Sequence, residues 1–579
     1  MPRLSVLVAA VAVALTLIEG SATAAPGPCE QIEAACQGAG FVRGGAKAGT
    51  GIQVDCVDPL MRGRGQPRRA SRPLPQIDPK VVAACRAQNP HFGQANAPGP
   101  AVASTAPPAP VPTPAAHARA VGRPNIVFIL TDDLSTNLLP FMPHVLKMQK
   151  EGVTFANYFV TDSLCCPSRS SIFTGRYPHN TGVFRNVGAD GGYSAFESHG
   201  NEGMTFAVAL STAGYRTAML GKYLNGYLPE RHPPAQGWTF WAVAGAAYKE
   251  FQYRLNEDRN VVSYGQTPAD YLTDVVSGLS QSFIKRPDAS PFILEVATFA
   301  PHAPYTPAPR DANAFPTLRA PRTRAYDAAP DAAAPAWLRK IPALSSGDMA
   351  AIDRDFRKRA QSVLAVDAMI GELQAAVAAS GQAGNTYFVF SSDNGYHMGE
   401  YRLMPGKMTA FDTDIRVPLI VTGPGVPAGH VVEEIVENVD LYATFAELAG
   451  APIPAEVDGR SLVPLMRGER PADWRSIALV EHRGPHKDPS DPDAPAARSG
   501  NPQSYEAIRA RNWLYVEYDG GEAEYHDLAS DPDELHNTFA SLPAAERSSL
   551  HAIVAAVRSC RGATACSAAE HVASGNAAR

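Results

Sequence analysis

Asp132-Asp133 and Asp393-Asn394 set side-chain oxygen donors at two distant points of the chain, and no thiolate–imidazole cluster competes with them. An all-oxygen set suits a hard divalent cation, calcium or magnesium, rather than zinc. Alone, Asp132-Asp133 reads as a helix cap after a strand and Asp393-Asn394-Gly395 as a simple turn. What shifts the balance toward a metal is a third segment, Cys165-Cys166-Pro167-Ser168-Arg169, followed by SSIFTGR from Ser170 to Arg176. Most cysteines of exported proteins are buried thiols or disulfide partners, and the pair by itself fits that reading. The proline and arginine at fixed spacing behind Cys165, ahead of Thr174-Gly175, do not. Arg169, Lys222 and Lys407 could supply fixed positive charge and His302 a proton. In a water-excluded site such preorganised donors are each worth on the order of 3 to 4 kcal/mol. Outside such a site each lysine would be a solvated surface charge and His302 a turn residue between prolines.

These residues can act together only if the fold gathers them. From Arg123 onward, apolar runs of strand length alternate with helical patterns, which predicts an α/β architecture, a sheet with helices on both faces. Four runs end in a polar residue: Asn125 to Leu130 in Asp132 and Asp133, Thr217 to Leu220 in Lys222, Phe292 to Phe299 in Pro301 and His302, and Thr386 to Ser391 in Asp393 and Asn394. Ligand sites of open α/β sheets lie beyond the carboxyl ends of the strands, so these tips are expected to converge. Phe356, Ala360, Val363, Ile370, Leu373 and Val377 recur at helical spacing ahead of Gly381, and a second helix is expected from Asp440 to a stop at Gly450. Past Trp474, Asn512 to Tyr518 and Glu524 to Leu528 suggest a small antiparallel sheet.

The chain has 579 residues, a net charge of -6 and eight cysteines. That mild charge carries no basic stripe, so no nucleic-acid partner is expected and any attraction for an anion must be local. Leu4 to Ile18 form an apolar run behind Arg3, ahead of Ala22-Thr23-Ala24, which reads as a signal peptide over 1–24. The run is short for a spanning helix, so a secreted or periplasmic protein without stable membrane insertion is expected. Residues 25–94 form a small cysteine-containing module, and 95–122 a Pro/Ala-rich linker that favours extended geometry. A catalytic domain is expected over 123–474 and a C-terminal subdomain and tail over 475–579. Export makes disulfides expected among Cys29, Cys36, Cys56, Cys85, Cys560 and Cys566, with connectivity open and Cys165 and Cys166 the odd pair.

From Arg123 to Leu542 the chain resembles the formylglycine-dependent sulfatases of the alkaline-phosphatase-like superfamily. The resemblance rests on LCCPSRSSIFTGRYPHNTGV from Leu164, GKYLNGY from Gly221, APHAPYTPAP from Ala300 and SDNGYHMGEYRLMPGKMTAFDTDIRVPLIV from Ser392. These blocks look closest to the N-acetylglucosamine-6-sulfatase branch. The resemblance implies a large mixed sheet sandwiched by helices with a smaller antiparallel C-terminal part. It also implies Cys165 converted to formylglycine by a formylglycine-generating enzyme, and calcium, in preference to magnesium, held by Asp132, Asp133, Asp393, Asn394 and the modified Cys165. Arg169, Lys222, His302 and Lys407 would then surround the sulfate. In the family's mechanism one hydroxyl of the hydrated aldehyde attacks sulfur while the alcohol leaves, protonated by His302 or a lysine. Deprotonation of the second hydroxyl then expels sulfate. Many arylsulfatases carry a histidine two residues after the lysine matching Lys222; here that position is Leu224, which leaves the base to another residue, His179 being one candidate. His179 and His397 both sit in candidate loops.

The reading is therefore a sulfuric ester hydrolase acting on a sulfated small molecule or glycan, a 6-sulfated amino sugar or an aryl sulfate among them. Two alternatives stand beside it. One is a phosphonate or phosphate ester hydrolase of the same superfamily, and the other a non-catalytic exported binding protein whose Cys165 is locked in a disulfide.

Overall fold

A computed structural model describes residues 28–42, 50, 52–62, 66, 70–88, 122–288, 290–491 and 493–571. The signal peptide expected over 1–24 and nearly all of the linker expected over 95–122 lie outside the described residues. The chain divides into two compact units, 1–116 and 117–579.

In the first unit the helix Pro28–Gly38 is tied to the helix Pro79–Gln88 by the disulfide Cys29–Cys85 and to the segment Ile52–Val57 by Cys36–Cys56, around a small core of Ile32, Phe41, Ile52 and Val57. A core this small fits a module stabilised by covalent links.

The second unit is built on a ten-stranded mixed sheet. Its strands are β1 Asn125–Thr131, β2 Val153–Phe159, β3 Arg216–Lys222, β4 Phe240–Ala244, β5 Arg254–Glu257, β6 Asn260–Ser263, β7 Phe292–Ala297, β8 Thr386–Ser392, β9 Leu419–Thr422 and β10 His430–Glu437, in the order β10-β2-β9-β8-β1-β7-β3-β4-β5-β6. The centre, β8-β1-β7-β3-β4, is parallel, with Ile126 opposite Ile293 and Tyr387. Parallel strands are covered on both faces, which is why β1 reads as an unbroken apolar run. Ile126, Phe128 and Leu130 enter the core on one face, and Val127 and Ile129 the core on the other.

The helix Ser346–Ala379 starts on a capping box in which Ser345 and Asp348 satisfy each other's backbone N–H groups. It lays Ile352, Phe356, Val363, Val366, Ile370, Leu373 and Val377 against the sheet. By length and composition alone it could cross a membrane, yet its packed face and its buried Arg359 and Asp367 make it a core helix. The helix Asp440–Ala449 ends at Gly450, whose φ of 64° is the left-handed cap conformation that glycine adopts without strain.

A second sheet, β11 Ile477–His482, β12 Tyr505–Ala510, β13 Trp513–Tyr518 and β14 Ala523–Asp527, is antiparallel throughout. Its apolar residues Ala478, Val480, Leu514 and Val516 continue the core on one face of the large sheet. Cys560–Cys566 closes the last disulfide, while Cys165 and Cys166 are free and buried, so Cys165 is not locked as the binding-protein alternative requires.

Candidate active site

Cys165 is the first residue of the helix Cys165–Thr174, every residue of which is buried. The helix N-terminus aims its partial positive charge at the side chain there. Cys165 Sγ lies 3.1 Å from Asp132 Oδ1 and accepts from Lys407 Nζ at 2.9 Å. The tips of four parallel strands surround it. β1 delivers Asp132 and Asp133, β8 delivers Asp393 and Asn394, β3 ends in Lys222, and β7 leads to His302. Arg169, one helical turn after Cys165, donates from Nε to Asp393 Oδ2 at 2.8 Å and from Nη1 to the Lys222 carbonyl at 2.9 Å. Lys222 Nζ stands 2.5 Å from Asp132 Oδ2, and Lys407 Nζ 2.7 Å from Asp133 Oδ1. All nine residues expected from the sequence thus occupy one place.

Burial and charge pull against each other here. Burial alone pushes the Asp132 carboxyl up and it stays raised, Lys222 offsetting only part of the cost. Burial would also raise Asp393, but Arg169, Lys222 and Lys407 together hold it down to about 2. Lys222 and Lys407 are raised well above the usual lysine value because the carboxylates around them outweigh their desolvation. Burial lowers His302, yet Asp133 and Asp493 outweigh it and bring it up to about 8. The Cys165 thiol, buried among carboxylates, is raised well above its ordinary range, so an unmodified thiolate is disfavoured.

The oxygens of the site fit a hard cation, although the fold also brings the Cys165 thiol and the His302 imidazole among them, a mixed cluster that spacing along the sequence did not suggest. Asp132, Asp133, Cys165 and His302 bring ligand-type atoms within 4.8 Å of one another. Asn394 gives its amide N–H to Asp133 Oδ1 at 2.7 Å, which leaves its buried Oδ1 without a partner, a carbonyl-type oxygen of the kind calcium accepts. Asp133 is held at a φ of 64° while its carbonyl accepts from Arg359 Nη2 at 2.6 Å.

His179 and His397 lie elsewhere. His179 Nδ1 is 2.8 Å from Glu481 and its Nε2 2.9 Å from the Cys560 carbonyl, so as a candidate base it is committed to packing the C-terminal segment. His397 is pinned between Asp414 and the Ser499 carbonyl. Leu224 is buried in the apolar core.

Sequence reasoning missed Asp493. It comes from the connection between β11 and β12, and its Oδ1 accepts from His302 Nε2 at 2.6 Å and from Lys407 Nζ at 2.9 Å. Outside this group a cleft of about 380 Å³ opens between His302, Tyr305, Tyr396 and Lys407 on one side and Asp493 to Gly500 on the other. Asp493 sits in a Pro- and Asp-rich stretch that reads as surface loop, and nothing in its spacing points inward.

A family profile described as Sulfatase matches residues 124–451, and one described as N-sulphoglucosamine sulphohydrolase, C-terminal, matches 399–557. The N-acetylglucosamine-6-sulfatase of Homo sapiens is 34% identical over 478 residues, 76% of this chain and 86% of that protein. A protein solved in complex with its substrate D-glucosamine-2-N,6-O-disulfate superposes with a TM-score of 0.61 at 24% identity, covering 75% of this chain and 97% of its own. The phosphonate monoester hydrolase of Agrobacterium radiobacter shares the fold at a TM-score of 0.57 and 21% identity, over 74% of this chain and 94% of its own.

Proposed function

The chain belongs to the sulfatase family, and on that premise we propose that this sulfatase hydrolyses sulfate monoesters of a sugar through Cys165 converted to formylglycine, beside a calcium ion. The observation that carries the reading is the placement of Cys165 Sγ among Asp132, Lys407 and the N-terminal turn of its helix. A 6-sulfated amino sugar is the favoured substrate class, because the human relative, matched over 86% of its length, is by its name an N-acetylglucosamine-6-sulfatase.

Asp132, Asp133, Asp393, the Asn394 carbonyl oxygen and the modified Cys165 would hold the cation, which would supply positive charge to a sulfate oxygen and to the nucleophile. The hydrated aldehyde offers two hydroxyls on one carbon, one to attack sulfur and one whose deprotonation releases sulfate. Lys222, Lys407 and Arg169 orient the sulfate by charge. Arg169 Nη2 is buried without a partner and so has a donor to give. His302 donates its Nδ1 proton to the Ala303 carbonyl at 2.7 Å, and its Nε2, which donates to Asp493 Oδ1 at 2.6 Å, would deliver a proton to the departing alcohol once the substrate takes the place of that carboxylate. The expected export of the chain fits a substrate met outside the cytoplasm.

Mass spectrometry of the tryptic peptide 151–169 tests the modification: relative to its encoded composition, the peptide must have exchanged one sulfur and two hydrogens for one oxygen. Turnover by protein that keeps the thiol at 165 overturns the mechanism. Faster hydrolysis of aryl phosphonate than of aryl sulfate would instead favour the phosphonate hydrolase whose fold this chain shares.

A further inference from the structure

The carboxylate of Asp493 fills the position a sulfate group would need. Its Oδ1 takes donors from both His302 and Lys407, at 2.6 and 2.9 Å, and its Oδ2 lies 3.6 Å from Cys165 Sγ. A nucleophile at residue 165 must find its target atom at roughly 3–3.5 Å, and the Asp493 carboxylate stands at the outer edge of that space. The seat is a built one. Asn186, fully buried, donates from Nδ2 to Asp493 Oδ2 at 2.6 Å and to Asp491 Oδ1 at 3.2 Å, and it is itself fixed by the Cys166 backbone N–H at 3.0 Å. The Asp493 backbone N–H donates to Asp491 Oδ1 at 2.9 Å, and the Asp493 side chain is 3% exposed.

We propose that Asp493 is a specificity-determining residue that acts as a resident competitor: its carboxylate holds the anion position, and a sulfate group binds by exchange with it. The inference rests on the sulfatase reading of the same site. A tethered carboxylate competes at the high effective concentration of an intramolecular group. An anion that can satisfy only His302 and Lys407, such as acetate or the carboxylate of a uronic acid, replaces one carboxylate contact with another and gains nothing. A sulfate ester gains because it carries further oxygens to offer the remaining donors of the site, Lys222, whose charge already acts on Asp493, and the unpartnered Nη2 of Arg169. Asp493 thereby discriminates between sulfate and carboxylate groups, which share charge sign and often share a sugar chain.

The test is calorimetric binding of inorganic sulfate and of acetate to the calcium-saturated full chain and to its Asp493→Asn variant. Removing one competing charge-assisted contact should tighten sulfate binding roughly tenfold or more and make acetate binding measurable. Unchanged or weaker sulfate binding in Asp493→Asn means that Asp493 assists the anion rather than competing with it, and overturns the inference. A second measurement uses unsubstituted protein and does not depend on the variant folding. Saturating sulfate should speed amide hydrogen exchange around Asp493, since the side chain loses its partners, whereas slowed exchange there overturns the proposal. Absence of sulfate binding to either protein also overturns it, and leaves the hydrolase reading to the mass and turnover measurements above.

Discussion

Arg169 Nε stands 2.8 Å from Asp393 Oδ2 with both side chains fully excluded from solvent, so one ion pair ties the helix that begins at Cys165 to the carboxyl end of β8. A buried pair of this kind contributes little compared with apolar groups of the same shape, but losing one partner leaves an uncompensated charge.

Asp393→Asn is therefore expected to act twice. It strips Arg169 of its counter-charge, at a cost of about 3–5 kcal/mol of stability by analogy with other broken buried pairs. It also removes an oxygen from the expected cation site. Denaturant unfolding and calcium titration of the same variant separate the two. Wild-type stability in Asp393→Asn would mean that Arg169 finds another carboxylate.

Arg359 touches neither Cys165 nor the strand-end carboxylates through its charge, yet it donates to the Asp133 carbonyl at 2.6 Å and lies over the Tyr396 ring at 4.3 Å. Holding Asp133 in its left-handed conformation is its role here. Arg359→Met should weaken calcium binding about 10–100-fold, the usual range for residues that orient metal ligands. Retained affinity would show that β1 fixes Asp133 unaided.

How much of this was legible can be judged from particular residues. Asp132, Lys222, His302 and Asp393 could be placed in one site because parallel strands announce themselves as apolar runs, and a polar residue closing such a run has only one end of the sheet to occupy. The same local signals located the helix stops at Gly381 and Gly450. Strand order was not legible: β9 runs antiparallel between β2 and β8, a choice made by tertiary packing rather than by any residue in Leu419–Thr422. The small sheet was seen only in its last two strands, since β11 and β12 are separated by the long connection that carries Asp493. Asp493 meets His302 across 191 positions, a distance over which spacing holds no information.

Glu295 gives a pH test. It lies fully buried in the middle of β7 with neither carboxyl oxygen partnered, and burial, opposed only by Arg169, raises it from 4.5 to about 8. Its folded state holds a proton that the unfolded chain releases above pH 4.5, so folded stability is full below that value and falls as pH rises toward about 8. Glu295→Gln should flatten the decline, with a gain on the order of a few kcal/mol at pH 8 relative to pH 5 in denaturant melts. Parallel pH profiles for both proteins would refute this assignment.

Arg475 anchors the far end of the chain. Fully buried, it pairs with both oxygens of Asp440 at 2.5 and 2.8 Å and with Glu570 at 2.8 Å, while the Tyr177 hydroxyl lies 2.8 Å from Glu437 and 2.6 Å from Glu570. Glu570→Gln removes one charge from this group but leaves the Asp440 pair and the Cys560–Cys566 disulfide in place. It should therefore cost less than Arg475→Met, which leaves Asp440 and Glu570 unmatched and should cost about 3–5 kcal/mol. Thermal melts of the two proteins give the ranking, and the reverse order would place the anchor at Glu570 rather than at Asp440.

Cys165 is wholly buried, and so is every neighbour in the first turn of its helix. A second enzyme cannot reach a side chain in that setting, so the proposed conversion of Cys165 requires that it be finished while this stretch is still an extended nascent thread. On that proposal folding and maturation are in a race with one order of finish: a chain that collapses first would be sealed, correctly shaped and inert.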